Sequence, residues 1–337
     1  MSFLEKAWYR KAPWLLLLWP ISVLFSAIAT IRQKNLTARS SVKENPVPVV
    51  VVGNISTGGT GKTPFVIMLC GMLKDLGLKP GIISRGYGGR AANYPVAVDY
   101  DSEVEEVGDE ALLLLEKTHC SVVVDPDRKR AMDHLLEIDG CDVVISDDGL
   151  QHYALAREIE IAIVDGQRLF GNGFCIPAGP LREPLSRLQS VNYVVINGEP
   201  AETVKELTSA AIMHLQPNYL VNLISGERRP FGGAPFNIGN RIQAVTGIGN
   251  PGRFHTLLAK LPYEIEPIEF PDHHQFKEGD FEKWGVDKIQ PVVMTEKDAV
   301  KCRRFARPNF WYLSTELKLS DEFSNQLGKE IQKLAAR

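Results

Sequence analysis

The sequence has no excess of positive charge: 38 Lys and Arg stand against 41 Asp and Glu, a net charge of -3. Without a global basic field, nothing points to nucleic acid as a partner, and any bound anion needs a local site. A cysteine framework is also missing. Cys70, Cys120, Cys141, Cys175 and Cys302 are scattered, odd in number and form no CxxC pair. That spacing excludes a disulfide scaffold and a cysteine zinc site, and predicts buried thiols in a reducing compartment. Internal repeats and low-complexity tracts are absent too. At roughly 150 residues per domain, a chain of 337 residues predicts two lobes and hence a cleft.

Long apolar runs are scarce, and the one present is near the N-terminus. Ala12 to Ile31 carries no charge over 20 residues, about the length that crosses a hydrocarbon core as a helix. Trp14, Trp19 and Pro20 interrupt it and no A-x-A site precedes Arg32, which argues against a cleaved signal peptide. Lys6, Arg10 and Lys11 lie before it and Arg32 and Lys34 after, so charge gives no orientation. Spanning once and lying in the interface both remain open.

After a polar connector over Gln33 to Pro46, short β-branched runs alternate with helical stretches. This is the pattern of a parallel sheet covered by helices. Strands are expected at Pro48–Val52, Gly81–Ser84, Ser121–Val124, Asp142–Ser146, Glu160–Val164 and Tyr193–Ile196, with helices at Lys62–Leu76, Asp109–Lys117, Arg128–Glu137 and Ala201–Leu215. A second series follows, with strands at Arg241–Val245, Glu264–Phe270, Pro291–Met294 and Phe310–Leu313 and helices near Arg253–Leu261 and Lys297–Arg304. The fold class read from this is α/β: a P-loop NTPase-like, doubly wound parallel sheet domain, a second smaller α/β domain, and an N-terminal membrane helix. The expected divisions are 1–35 for the membrane helix, 36–218 for the P-loop domain, 219–315 for the smaller domain, and 316–337 for a C-terminal helix returning to the first domain. Tyr219–Ile224 and Phe310–Leu313 are expected to pair as a two-stranded hinge.

The buried run Val49–Val52 leads into Gly53-Asn54 and then Ser56-Thr57-Gly58-Gly59-Thr60-Gly61-Lys62-Thr63. Strand, glycine loop and helix start are the context a phosphate loop needs. Backbone amides of Ser56 to Gly61 turn onto phosphate oxygens, Lys62 brings a charge to the β and γ phosphates, and the Thr63 hydroxyl faces magnesium. ATP and Mg2+ are therefore the expected cofactors. The strict motif has glycine where Ser56 stands, so this loop belongs to a divergent subclass. A second buried strand runs into Asp147-Asp148-Gly149-Leu150-Gln151-His152, which looks like a Walker B site. One aspartate holds magnesium and the other is free to work on the substrate; we assign Asp147 to the metal and Asp148 to catalysis, with direct contact left open. Gln151 and His152, next along, are candidate substrate contacts.

These motifs, with Ser84-Arg85-Gly86-Tyr87-Gly88, Val107-Gly108-Asp109-Glu110, Gly179-Pro180-Leu181-Arg182-Glu183-Pro184, Phe270-Pro271-Asp272-His273 and Thr295-Glu296-Lys297-Asp298, resemble the tetraacyldisaccharide 4'-kinases across nearly the whole chain. The resemblance implies transfer of phosphate from ATP to the 4'-hydroxyl of a lipid disaccharide 1-phosphate, giving lipid IVA. It also implies an inner-membrane location with the catalytic domains on the cytoplasmic face, and no obligate protein partner. By the same resemblance Asp109 is the general base and His273 its partner from the second lobe. A sugar hydroxyl is a poor nucleophile until a carboxylate takes its proton, so the chemistry is sensible on its own. Glu110 is a candidate magnesium ligand or one half of an acidic helix start. Arg85 and Tyr87 suit a guanidinium-and-ring grip on a disaccharide. Arg128 either assists or is a solvated helix-start residue.

Two other readings remain in view. Gly247-Ile248-Gly249-Asn250-Pro251-Gly252, with Glu269 beyond it, matches a dinucleotide-binding fingerprint, but no second catalytic set accompanies it. A membrane-anchored P-loop ATPase or switch without a small-molecule substrate is the alternative of a different class.

Overall fold

The computed structural model describes residues 3–40, 45–236 and 241–336. The chain opens with α1 (Phe3–Tyr9) and a 3-10 turn over Pro13–Leu18 that leads into α2 (Trp19–Ser40). The sheet lobe follows: β1 (Val49–Gly53), α3 (Lys62–Asp75), β2 (Pro80–Ser84), β3 (Val96–Ala97), α4 (Val104–Val107), α5 (Asp109–Thr118), β4 (Val122–Val124), α6 (Arg128–Ile138), β5 (Val143–Asp147), β6 (Ile159–Asp165) and β7 (Tyr193–Asn197). The remainder comprises β8 (Ala211–Asn222), β9 (Arg228–Pro230), β10 (Arg241–Thr246), α7 (Pro251–Leu258), β11 (Glu264–Glu269), α8 (Glu278–Lys283), β12 (Val292–Thr295), α9 (Glu296–Cys302), β13 (Phe310–Lys318) and α10 (Asp321–Ala335).

Val49 to Val52 are all fully buried. Alternate residues of this run face opposite layers, Val50 and Val52 against α3 and α5 and Val49 and Val51 against α6 and the loops beyond β5. A strand buried on both faces reads as a continuous apolar run, which is why this one was legible. The α/β fold expected from the alternation is present. Strand order is β3-β4-β2-β5-β1-β6-β7-β8-β13-β12-β10-β11, with β9 on β8. β1 lies between β5 and β6, both parallel to it. Chain order reverses direction at β1, so the loop at its carboxyl end opens into the crevice where α/β sheets bind ligands.

β8 belongs to both halves. Its first residues pair in parallel with β7 (Ile196 with Ile212), and from His214 to Asn222 it runs antiparallel to β13. The register shifts between Ser314 and Thr315, opposite Pro217, which has no N–H to give the ladder. The expected helix over Ala201–Leu215 is absent: a 3-10 turn at Lys205–Leu207 and β8 take its place. Burial along Ile212-Met213-His214 alternates exposed, buried, exposed, a period of two. Pairing on both edges thus overrides local helix propensity. The expected hinge pair is part of this longer ladder.

The polar connector is a correction as well. α2 continues to Ser40, past both position 33 and position 35, while residues 41–44 of that segment lie outside the described residues. Pro13–Thr37 is long and apolar enough to cross a membrane, and only 11% of its most apolar window is buried. Leu17, Leu24 and Ile28 are among its exposed apolar side chains. Hydrogen bonds fasten the segment to the sheet lobe: Trp8 Nε1 donates to Pro177 O at 3.0 Å, and Ala178 N donates to Ser22 Oγ at 2.9 Å. α10 returns to α3, burying Leu327 and Ile331 in the core with Leu69 and Leu73.

Candidate active site

The loop after β1 is held open by its neighbours. Thr57 N donates to Pro180 O at 2.8 Å and Arg182 N to Ile55 O at 2.7 Å, so the Gly179–Pro184 segment braces the phosphate loop from behind. Ser56, the departure from the strict motif, is buried and bridges to Leu181. Asn54 lies inside the loop, donating to Ser56 O at 2.8 Å. Gly61 has φ +97, and a Cβ there would fall 2.2 Å from Asn197 Nδ2, so only glycine fits. Asn197 Nδ2 in turn donates to Thr60 O at 3.0 Å. Among the described residues, the amides of Gly58, Gly59, Thr60 and Gly61 appear in no backbone hydrogen bond of the protein, which leaves them free for an anion.

Lys62, at the start of α3, lies 3.4 Å from Asp148 and donates to Asn54 Oδ1 at 3.3 Å. Arg182 reaches the same carboxylate at 3.3 Å. Burial alone would push the Asp148 carboxyl up, but Lys62 and Arg182 hold it well below the usual carboxylate range. Asp147 is the opposite case. Its carboxylate is buried with neither oxygen hydrogen-bonded, as is the Ser146 hydroxyl. Burial, then Glu110 and Asp148, push it up to about 7. One pair of adjacent aspartates is thus split into a fixed anion and one in which burial and like charge outweigh Lys62 and Arg128.

The second pair comes from α5 and the turn after β11, 164 residues apart. Asp109, at the first position of α5 and 2% exposed, meets His273 Nδ1 at 3.3 Å. His273 sits in the turn after β11 at φ +57, with its Nε2 3.2 Å from Lys297 Nζ. α9 adds more. Lys297 donates to Glu110 at 2.9 Å, and Lys301 lies 3.6 Å from Asp109 and 2.7 Å from the fully buried Asp298. Burial raises the Asp109 carboxyl, but His273, Lys297 and Lys301 outweigh it and hold it at about 2. Lys117–Glu296 at 2.5 Å and the Arg303–Glu116 pair flank this contact between α5 and α9. α5 and α9 are in contact along this seam.

The other expected residues divide. Tyr87 is exposed and its ring packs 4.6 Å from the His273 ring, while Arg85 is exposed near the phosphate-loop end of β2. Arg128 is buried, donating to the carbonyls of Asp125 at 2.8 Å and Asp147 at 3.1 Å, so it props up the strand ends rather than standing in solvent. Gln151 is engaged with Asn54 O at 3.0 Å and Glu183 at 2.8 Å. His152 is held down to about 4 by burial and by Arg128 and Arg85. Thr63 follows Lys62 on α3, half-buried. Lys297, Lys301, Asp298 and Asn197 had no role in the sequence reading. Lys297 and Lys301 are four apart on one helix face; the motif Thr295-Glu296-Lys297-Asp298 holds Lys297 and Asp298 but neither Lys301 nor the α5 carboxylates that both lysines face. The loop Gly247–Gly252 faces the phosphate loop: a Cβ on Gly249 would stand 3.2 Å from Gly59 N. Glu269 pairs with His255 at 3.5 Å.

Comparison with known proteins gives the family. The family model for tetraacyldisaccharide-1-P 4'-kinase (LpxK) matches residues 14–332. A tetraacyldisaccharide 4'-kinase of Nitrosococcus oceani is 46% identical over 337 residues, covering 100% of this chain and 96% of that protein. One of Pseudomonas putida is 43% identical, covering 97% and 95%. The crystal structure of LpxK from Aquifex aeolicus in complex with ATP superposes with a TM-score of 0.75 at 30% identity, covering 95% of this chain and 99% of that one. The chain belongs to the tetraacyldisaccharide 4'-kinase family.

Proposed function

We propose that this protein transfers the γ-phosphoryl group of ATP to the 4'-hydroxyl of a tetraacyldisaccharide 1-phosphate, forming lipid IVA. The observation that carries the reading is the meeting of Asp109 and His273 across two lobes, beside the phosphate loop, in a chain of this family. The free amides of Gly58 to Gly61 and the Lys62 ammonium receive the phosphates. Asp109 accepts the proton of the attacking hydroxyl, with His273 orienting it. Asp148 fixes Lys62, and Arg182 fixes Asp148. Arg85 and Tyr87, exposed at the same mouth, take the sugar and its phosphate.

Magnesium fits the residues present. Asp147 carries two buried oxygens without partners, and Thr63 follows the loop lysine. Oxygen donors of this kind suit Mg2+, which takes one or two carboxylates and completes its shell with water and phosphate. Among the described residues no cluster of three His, Cys, Asp or Glu side chains forms a cage. Asp147 is therefore the principal ligand, and Glu110, paired with Lys297, is a weaker one. The cation neutralises charge that builds on the phosphates during transfer.

The exposed apolar face of α2 lies at the membrane surface, with the lobes on the cytoplasmic side where ATP is found. An apolar cavity of about 590 Å³ between α2 and the Gly173–Leu185 segment opens on that face, lined by Trp19, Val23, Ala27, Phe174 and Leu185. Incubation with ATP, magnesium and the lipid disaccharide, followed by mass analysis of the lipid, tests the reading. One added phosphate on the lipid is expected, and free phosphate with unchanged lipid would instead favour an ATPase. Lys62→Ala should lower transfer by about a thousandfold or more.

A further inference from the structure

Arg168 stands in the turn after β6 and has no part in the chemistry above. Its backbone N–H donates to Asp165 Oδ1 at 3.1 Å, which fixes the turn beside β1. Its guanidinium touches three parts of the molecule. Nη2 donates to Gly249 O of the second lobe at 2.7 Å. The guanidinium carbon lies 5.5 Å from the centroid of the Tyr9 ring in the N-terminal segment. Nη1 sits against the phosphate loop, 3.3 Å from where a Cβ on Gly58 would be.

The charges around the loop are unequal. Lys62 and Arg182 share the Asp148 carboxylate. Arg128 lies beneath Asp147, donating to its carbonyl. Arg168 is half-buried and forms no ion pair with a carboxylate among the described residues; the neighbouring Asp165 carboxylate lies 3.7 Å from Arg253 instead. A nucleoside triphosphate brings about four negative charges at neutral pH, and even with magnesium about two remain to be met. An oriented guanidinium at the mouth of a nest of free amides is suited to that task, because its planar fork matches phosphate oxygens.

We propose that Arg168 binds the polyphosphate of the nucleotide as a cation not already claimed by a carboxylate, held in place by Gly249 O and Tyr9. Since Gly58 lies early in the loop, the contact falls on the side of the nest away from Lys62. The ring of Tyr9 and the carbonyl of Gly249 thereby make both the membrane segment and the second lobe part of the wall around the phosphates. This inference rests on the ATP-site reading given above.

The test measures dissociation constants of ATP, ADP and adenosine, with magnesium, for the full chain in detergent. Arg168→Gln should weaken ATP and ADP by about 10- to 100-fold, the range for a charge-assisted contact, and adenosine less than about twofold. Arg168→Lys should recover part of the loss, since it keeps the charge without the fork; this variant decides the matter alone if Arg168→Gln does not fold. ATP affinity within about twofold of wild type in both variants would overturn the proposal. Equal losses for ATP and adenosine would also overturn it, by making Arg168 a brace of the lobe rather than a phosphate ligand. Lys62→Ala separates this from the underlying reading. If it weakens ATP while Arg168→Gln does not, only the role of Arg168 falls; if neither does, the phosphate loop itself is misassigned.

Discussion

Replacing Lys301 with Met separates the stability of the second lobe from the chemistry of the base. The Lys301 side chain is 1% exposed, 2.7 Å from Asp298 and 3.6 Å from Asp109, and its ammonium lies 5.0 Å from the centroid of the Phe276 ring. Two buried carboxylates therefore lean on one buried cation. Removing one partner of such a pair costs about 3–5 kcal/mol, because an uncompensated charge stays inside. At roughly 2 °C per kcal/mol for a chain of this size, the melting temperature should fall by about 6–10 °C. The double variant Lys301→Met, Asp298→Asn removes both charges and keeps an acceptor for Gly247 N, which donates to Asp298 at 3.0 Å. It should melt within about 3 °C of wild type. Its turnover should still be low, by about tenfold or more, because Asp109 has lost a fixed neighbour and small misplacements of a base are costly. Differential scanning calorimetry on the detergent-solubilised enzyme, paired with initial rates of lipid phosphorylation, gives both numbers. A single variant melting within about 2 °C of wild type would refute the reasoning, as would a double variant melting as low as the single.

Asp109→Ala and His273→Ala should each lower turnover with little change in ATP affinity; because they act as one unit, the double variant should lose much less than the product, and multiplicative losses in steady-state kinetics would rule out the dyad. Chelation of magnesium should stop transfer, and Asp147→Asn should raise the magnesium concentration needed for half-maximal rate by about tenfold or more, read from a metal titration. Burial first, then Arg128 and Arg85, lower the folded His152 from 6.5 to about 4. The unfolded chain therefore binds the extra proton as pH falls below about 6.5, so melting temperature should decline between there and about 4. His152→Gln should flatten that part of the profile, and an unchanged slope would show that His152 stays exposed to protons.

Legibility followed the physics of each element. The strands around β1 were readable because both faces are buried, and the phosphate loop because glycine, lysine and threonine are confined to one strand-to-helix turn. Asp109 and His273 were found only through the resemblance, since nothing local ties residues 164 apart. Their contact, at 3.3 Å, joins elements that no local pattern connects. Lys301 and Asp298 could not be assigned because a lysine on a short helix reads as solvated until its carboxylate partners are placed. The segment over Ala201–Leu215 was misread because its strand character comes from partners on both edges, not from its own composition. Arg128 was left between two roles, and burial against two carbonyls excludes the solvated one.

The continuity of β8 through both sheets has a consequence for taking the enzyme apart. The small lobe is entered along β8 and left along β13, two strands that are hydrogen-bonded to each other, and α10 then docks back on α3. The lobe is thus a loop of chain drawn out from the large sheet through a single doorway, not a bead on a linker. Excising it at the doorway would strip the last strand of the large sheet of its continuation and expose a bare edge on each fragment. A nick within the small lobe's surface turns should leave both halves held together, whereas separately expressed lobes should aggregate along the severed ladder.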